Sequence, residues 1–238
     1  GAHYRRDIAA REVERAEDPE DLPRAGRVEV PFPALSPPLE AASAEEARQR
    51  YAKACGLFAQ GKIREAQEQL LRALRLQPGY AAAHALLGTT YLAEAKLPEA
   101  LTEWERVVEL TPDSAEAYHN LASVYVRLGK IEEAIAQFEE CLALDGSYVT
   151  ARLGLGAIYA RRGEHQSAVE QYKAALAADP TCAEAHLDLA VTLTSMGDRE
   201  RALAELQSCL ACKPDEATRA EAERQLKALS KKRWFKNW

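Results

Sequence analysis

Apolar and polar positions alternate along most of this chain with a helical period. In "AYHNLASVYVRLGK" (117–130), Leu121, Val124, Tyr125 and Leu128 fall three or four residues apart, which places them on one helix face. Between residues 45 and 216 such stretches follow one another as first helices of about 14 residues, a tight turn and a second helix, with glycines and prolines as the stops.

The pattern returns every 34 residues. Pro78, Pro112, Pro180 and Pro214 lie on that spacing, with Gly146 at the remaining step. Ala66, Ala100, Ala134, Ala168 and Ala202 form a second series, and Ala54, Gly88, Ala122, Gly156 and Ala190 a third that is always small. A fourth, always large and apolar, holds Leu70, Trp104, Phe138, Tyr172 and Leu206. Gly61, Ala95, Gly129, Gly163 and Gly197 fall where first helices end and a left-handed residue is wanted. Small residues let paired helices approach, and the bulky series fills the space between units. Such regular alternation is the signature of a repeat array, whose units are stable only together.

These series resemble the tetratricopeptide repeat (TPR), a helix–turn–helix unit with small residues where its helices cross. The units are 47–80, 81–114, 115–148, 149–182 and 183–216, about 170 of the 238 residues. The resemblance implies an all-α fold: an α-solenoid, a right-handed superhelix of five units. Lys53 stands where later units carry Leu87, Leu121, Leu155 and Leu189, and Arg50 stands beside it, so residues 45–60 open the array. "DEATRAEAERQLKALS" (215–230) predicts a capping helix with Ala222, Leu226 and Leu229 turned inwards and Glu221, Arg224 and Lys227 turned to water. The solenoid thus spans 45–230. Residues 1–44 are an N-terminal extension, charged with a short helix over 4–17, then proline-rich and extended through "VEVPFPALSPPLEAA".

Charge narrows the function. The chain carries a formal −6, and residues 45–230 hold −7 of it, against +4 in the tail 231–238. An acidic array is a poor tracker of phosphates, so no nucleic-acid partner is expected. No apolar run approaches the roughly 20 residues that span a bilayer. Five cysteines, an odd number, favour a reducing, cytoplasmic setting; a periplasmic or envelope location would need a signal or anchor before residue 1.

The candidate chemistries dissolve into the repeat. Cys209 and Cys212 of "CLAC" fall on series held elsewhere by Ala73, Val107, Cys141 and Ala175, and by Leu76, Leu110, Leu144 and Ala178, and are read as core. "GLG" (154–156) lacks the strand and following lysine of a phosphate loop, and Gly156 belongs to the small series. His84 and His186 share a packing series with Tyr118, and His165 lies in a turn. No metal-ligand spacing and no nucleophile motif appear, so no enzyme, metal or cofactor is expected.

In TPR arrays the first helices line the concave face, and the resemblance therefore implies three inward rows. They run Tyr51, Ala85, His119, Leu153, Leu187; then Cys55, Thr89, Ser123, Ala157, Val191; then Phe58, Leu92, Val126, Ala160, Thr194. Arg127 and Arg161 hold one position in adjacent units at the edge of this apolar strip, suited to a carboxylate on a partner. TPR domains that clamp the acidic C-termini of chaperones use Lys, Asn and Arg at set groove positions. Asn120 matches one, but His119, Thr150 and Gly154 stand at the Lys and Arg positions, so that activity is not carried over.

The resulting expectation is a non-enzymatic scaffold or adaptor that binds an apolar peptide or helix of a partner protein during complex assembly or targeting. Two alternatives stand beside it: the interaction module of a larger enzyme, and an envelope assembly factor like the TPR lipoproteins of pilus or secretion machinery. Residues 28–44 have the length and chemistry to cover the groove themselves. If the last helix continued into the tail "KKRWFKNW", Trp234 and Trp238 would lie about 100° from the face of Leu226 and Leu229, so either the helix ends near Lys231 or the tail packs elsewhere; a membrane contact through it would be marginal.

Overall fold

The computed structural model describes residues 39–231, which form eleven α-helices and, among these residues, no strand. The expectations for residues 1–38 and for the tail beyond 231 lie outside the described residues. Five helix pairs follow one another: α1 (Leu39–Ala59) with α2 (Ile63–Leu76), α3 (Ala81–Ala93) with α4 (Leu97–Leu110), and α5 (Ala115–Leu128) with α6 (Ile131–Leu144). Then come α7 (Val149–Arg161) with α8 (His165–Ala178), α9 (Ala183–Ser195) with α10 (Arg199–Ala211), and α11 (Glu216–Lys231). From α3 onward each first helix packs on its own second helix, and every second helix from α2 on packs on the next unit's first helix.

The turns obey the 34-residue spacing. Gly61, Gly129, Gly163 and Gly197 adopt φ between 74° and 82°, and Ala95 at the same step is forced to 57°. At Gly129 the left-handed residue lets its own N–H reach the Val126 carbonyl (3.0 Å) and the Lys130 N–H reach that of Tyr125 (3.0 Å), which satisfies the carbonyls orphaned at the end of α5.

Small and bulky series meet as the spacing requires. A Cβ on Gly88 would stand 2.8 Å from the Trp104 indole nitrogen, and one on Gly156 would stand 2.5 Å from the Tyr172 ring. Phe138 presses forward into the next unit instead, where a Cβ on Gly154 would meet its ring at 2.5 Å. Leu87, Leu121, Leu155 and Leu189 are all buried, each worth about 1.5–3 kcal/mol on removal from water. Lys53 is exposed in the first unit, and Arg50 beside it is held by Glu46 (2.6 Å) and Gln69 (3.4 Å). An ordinary repeat does not stack on such a face.

The far end is closed by α11. Asp215 accepts the Thr218 N–H at 2.7 Å and caps the helix, Ala222 and Leu229 are buried, and Leu226 packs beside them against α9 and α10. Arg224 and Lys227 face water.

Three sequence expectations need correction. Helix α1 already includes residues 39–44, assigned above to the extended N-terminal segment, because "LEAASA" is made of good helix formers. Only Cys209 of the CxxC pair is core; Cys212 is half-buried, like Leu76 and Leu110, and Leu144 at the same step is 45% exposed, since that step is the outward-turned end of each second helix. His165 is not in a turn but is the first residue of α8.

Candidate functional site

The first helices α1, α3, α5, α7 and α9 bring the three predicted rows to neighbouring positions, but they do not present a continuous apolar strip. Phe58, Leu92, Leu153 and Leu187 are half-buried and pack against the core clusters, so much of their surface is spent on the fold. Val191 stays exposed, 39% accessible, beyond either of the cavities described next. Nine of the remaining predicted residues gather around two cavities, with α5 forming a wall of each.

The first cavity, about 530 Å³, lies between α1, α3 and α5. Tyr51, Ala85 and Thr89 line it, together with Ala82, Leu86, Glu116 and Asn120, and Trp104 and Val107 of α4 close its base. The Thr89 hydroxyl donates back to the Ala85 carbonyl at 2.9 Å, leaving its methyl for the cavity. Tyr51 leans on Tyr80 with ring centroids 5.1 Å apart. Burial, aided by a hydrogen bond with Cys55, pushes the Tyr51 phenol up to about 12, so it stays a neutral donor.

The second cavity, about 310 Å³, lies between α5 and α7 over the Phe138 ring of α6. His119, Ser123, Val126 and Ala157 line it, with Arg127 and Arg161 at its rim. Ser123 donates its hydroxyl to the His119 carbonyl at 3.0 Å, repeating the device of Thr89 one unit on. His119 lies against Phe138 and Tyr148, with centroids 5.9 and 5.1 Å away. Burial holds its pKa below the usual imidazole range, so at neutral pH it is an uncharged wall. The cations here are the two arginines alone.

Sequence reasoning missed Phe138, Ile158 and Gly154 of the second cavity and Trp104 and Val107 of the first. Trp104 and Phe138 belong to the bulky series and Val107 to the series of Cys209, read there only as packing, while Gly154 and Ile158 lie on neither the bulky nor the small series. One signal was available: along the series Ala52, Leu86, Asn120, Gly154 and Asp188, glycine at 154 lets the buried Phe138 ring press against its backbone, so that the ring closes the base of the cavity.

Among the described residues, no group of three or more His, Cys, Asp or Glu is placed to hold a metal ion, and no helix is long and apolar enough to cross a membrane.

Tetratricopeptide repeat profiles match residues 79–147, 119–181 and 159–229. The chain belongs to the tetratricopeptide repeat family. Solved structures share this fold. MamA is 24% identical over 73% of this chain and 94% of its own, with a TM-score of 0.64. YrrB, described as a TPR protein with an unusual peptide-binding site, is 23% identical over 78% of this chain and 98% of its own, with a TM-score of 0.61. PilF of Pseudomonas aeruginosa is 17% identical over 83% and 95%, with a TM-score of 0.66. At these identities the likeness carries the fold. No protein of curated function matches the chain by sequence. As a TPR array, the chain is a protein–protein interaction scaffold, a module that is generally non-enzymatic.

Proposed function

We propose that this TPR protein is a non-enzymatic adaptor whose first-helix groove receives an apolar segment of a partner protein, carrying an acidic group, in the assembly or targeting of a complex. One observation carries the reading: two mainly apolar cavities open side by side on the first helices. Thr89 and Ser123 return their hydroxyls to their own helices, and the polar lining is limited to groups such as Glu116 and Asn120 in the first and Thr150 and the rim arginines in the second. Apolar concavities of this size are where proteins take ligands. The peptide-binding site ascribed to YrrB lies on the same fold and is consistent with it.

The test is a photo-crosslinking residue placed in the full chain at Ala82 or Ala157, exposed positions on the two cavities, and at Ala136, exposed on α6. Adducts to another protein at 82 and 157 but not at 136 are expected. Adducts at 136 alone, or at all three positions equally, overturn the groove assignment. Crosslinks to residues 28–38 of the same chain mark the groove as self-covered.

A further inference from the structure

We infer that the cavity between α5 and α7 is an anchor for one bulky apolar side chain of a partner, with an acidic side chain beside it held by Arg127 and Arg161. The inference rests on the adaptor reading above and adds the recognition chemistry.

The cavity's size comes first. At roughly 30 Å³ per water, 310 Å³ holds about ten waters, which is room for a large aliphatic or aromatic side chain but not for a helix. Its surface is mainly apolar: Val126, Ala157 and Ile158 form walls, the Phe138 ring closes the base and Ser123 is bonded to its own helix, which leaves Thr150 and the neutral His119 as the polar groups inside the arginine rim. Waters there find few partners, so an apolar group displaces them favourably.

The rim supplies the charge. Arg127 and Arg161 are both exposed and occur one unit apart on the same edge. Each sits in the last turn of its helix, where a cation also suits the helix dipole. The two are not equivalent, however. Arg127 reaches across to the Leu92 carbonyl at the end of α3 (3.3 Å), which orients it and leaves most of its five donors free. The same reach from Arg161 would end on the Val126 carbonyl, yet Arg161 makes no hydrogen bond or ion pair among the described residues. It stands instead between this cavity and a smaller one of about 220 Å³ beside Ile131 and Arg162. Arg162 is already committed to Glu132. A free guanidinium over an apolar cavity, in an array that is otherwise acidic, complements a carboxylate next to an apolar group. The acid is a side chain next to the apolar anchor rather than a terminal carboxylate, so the occupant inferred here is an internal segment of the partner.

The probe is a phage library of random 12-residue peptides displayed with no free C-terminus, selected on the full chain. Enriched peptides are expected to carry Leu, Ile, Phe or Trp within three residues of Asp or Glu. Their affinity should fall roughly tenfold or more for Arg127→Gln/Arg161→Gln, the factor that about 1.4 kcal/mol represents, and Arg72→Gln should leave it unchanged. Ala157→Trp, which fills the cavity, should abolish binding while the thermal midpoint stays near the parent's. The inference is overturned by enriched peptides without an acidic residue, by unchanged affinity in the double arginine variant, or by enrichment only from a companion library with free C-termini. Crosslinks at 82 and 157 accompanied by apolar peptides lacking acids would sink this inference and leave the adaptor reading standing.

Discussion

His84 and Arg152, two repeats apart, staple their units in the same way. His84 reaches Glu103 of its second helix at 2.6 Å and the Pro78 carbonyl of the preceding turn at 2.9 Å. Arg152 reaches Gln171 at 3.4 Å and the Gly146 carbonyl at 2.6 Å, from positions 68 residues on. His186 repeats the histidine version with Glu205 (2.7 Å) and Pro180 (3.2 Å), and Arg50 meets Gln69 in the first unit. Where the donor is histidine the second-helix acceptor is glutamate; where it is arginine the acceptor is glutamine. At His84, Arg152 and His186 the staple ties the turn before the unit to its second helix, whereas Arg50 makes the second-helix contact alone among the described residues.

It follows that His84→Arg should be tolerated within about 0.5 kcal/mol, since the backbone of repeat 4 already accepts arginine there. His84→Leu should cost about 1–3 kcal/mol, because it strands the half-buried Glu103 carboxylate. Urea unfolding of the two variants checks this, and equal losses would remove the staple's role.

Glycine replacements should change sign with position. Gly156→Ala drives a methyl into the Tyr172 ring and should cost roughly 1–3 kcal/mol. Gly56→Ala in α1 meets nothing within 4 Å and should stabilise by about 0.5–1 kcal/mol through helix propensity. Thermal midpoints moving in the same direction would contradict the crossing geometry.

Ala95 is the one residue of its series with a Cβ in the left-handed region, at φ 57°. Ala95→Gly should stabilise the turn by about 1 kcal/mol, and Gly129→Ala should destabilise its own turn by a similar amount. Denaturant midpoints measure both; a loss on Ala95→Gly would mean that its methyl is needed for packing.

Asp188 provides the pH dependence. Burial, reinforced by Glu184 one turn earlier, raises its pKa from 3.8 to about 6. The folded state therefore holds a proton between about pH 4 and 6 that the unfolded state releases, and stability from this group declines as pH rises through that window. Asp188→Asn should match the parent near pH 4 and exceed it by on the order of 1 kcal/mol at pH 7. A difference that does not vary with pH would assign the effect to something other than ionisation.

Much of this protein was legible in its residues because a repeat states each fact several times. The 34-residue series located the turns, the crossings and the capping helix, since a helix crossing requires a small residue and a solenoid end requires a polar one. Lys53 and Leu229 are where those rules put them. The groove was legible only as a set of helix faces. Periodicity gives the direction in which a side chain leaves its helix, but not how far a neighbouring helix covers it. Leu92 and Leu153, expected in the groove, are half-consumed by the core, while the buried Phe138 ring closes the base of a cavity because Gly154 has no side chain to hold it away. The bonding of Arg127 to the Leu92 carbonyl, and the absence of a like bond for Arg161 among the described residues, were decided only by tertiary structure, since they depend on ångström-scale offsets between units that are identical in spacing.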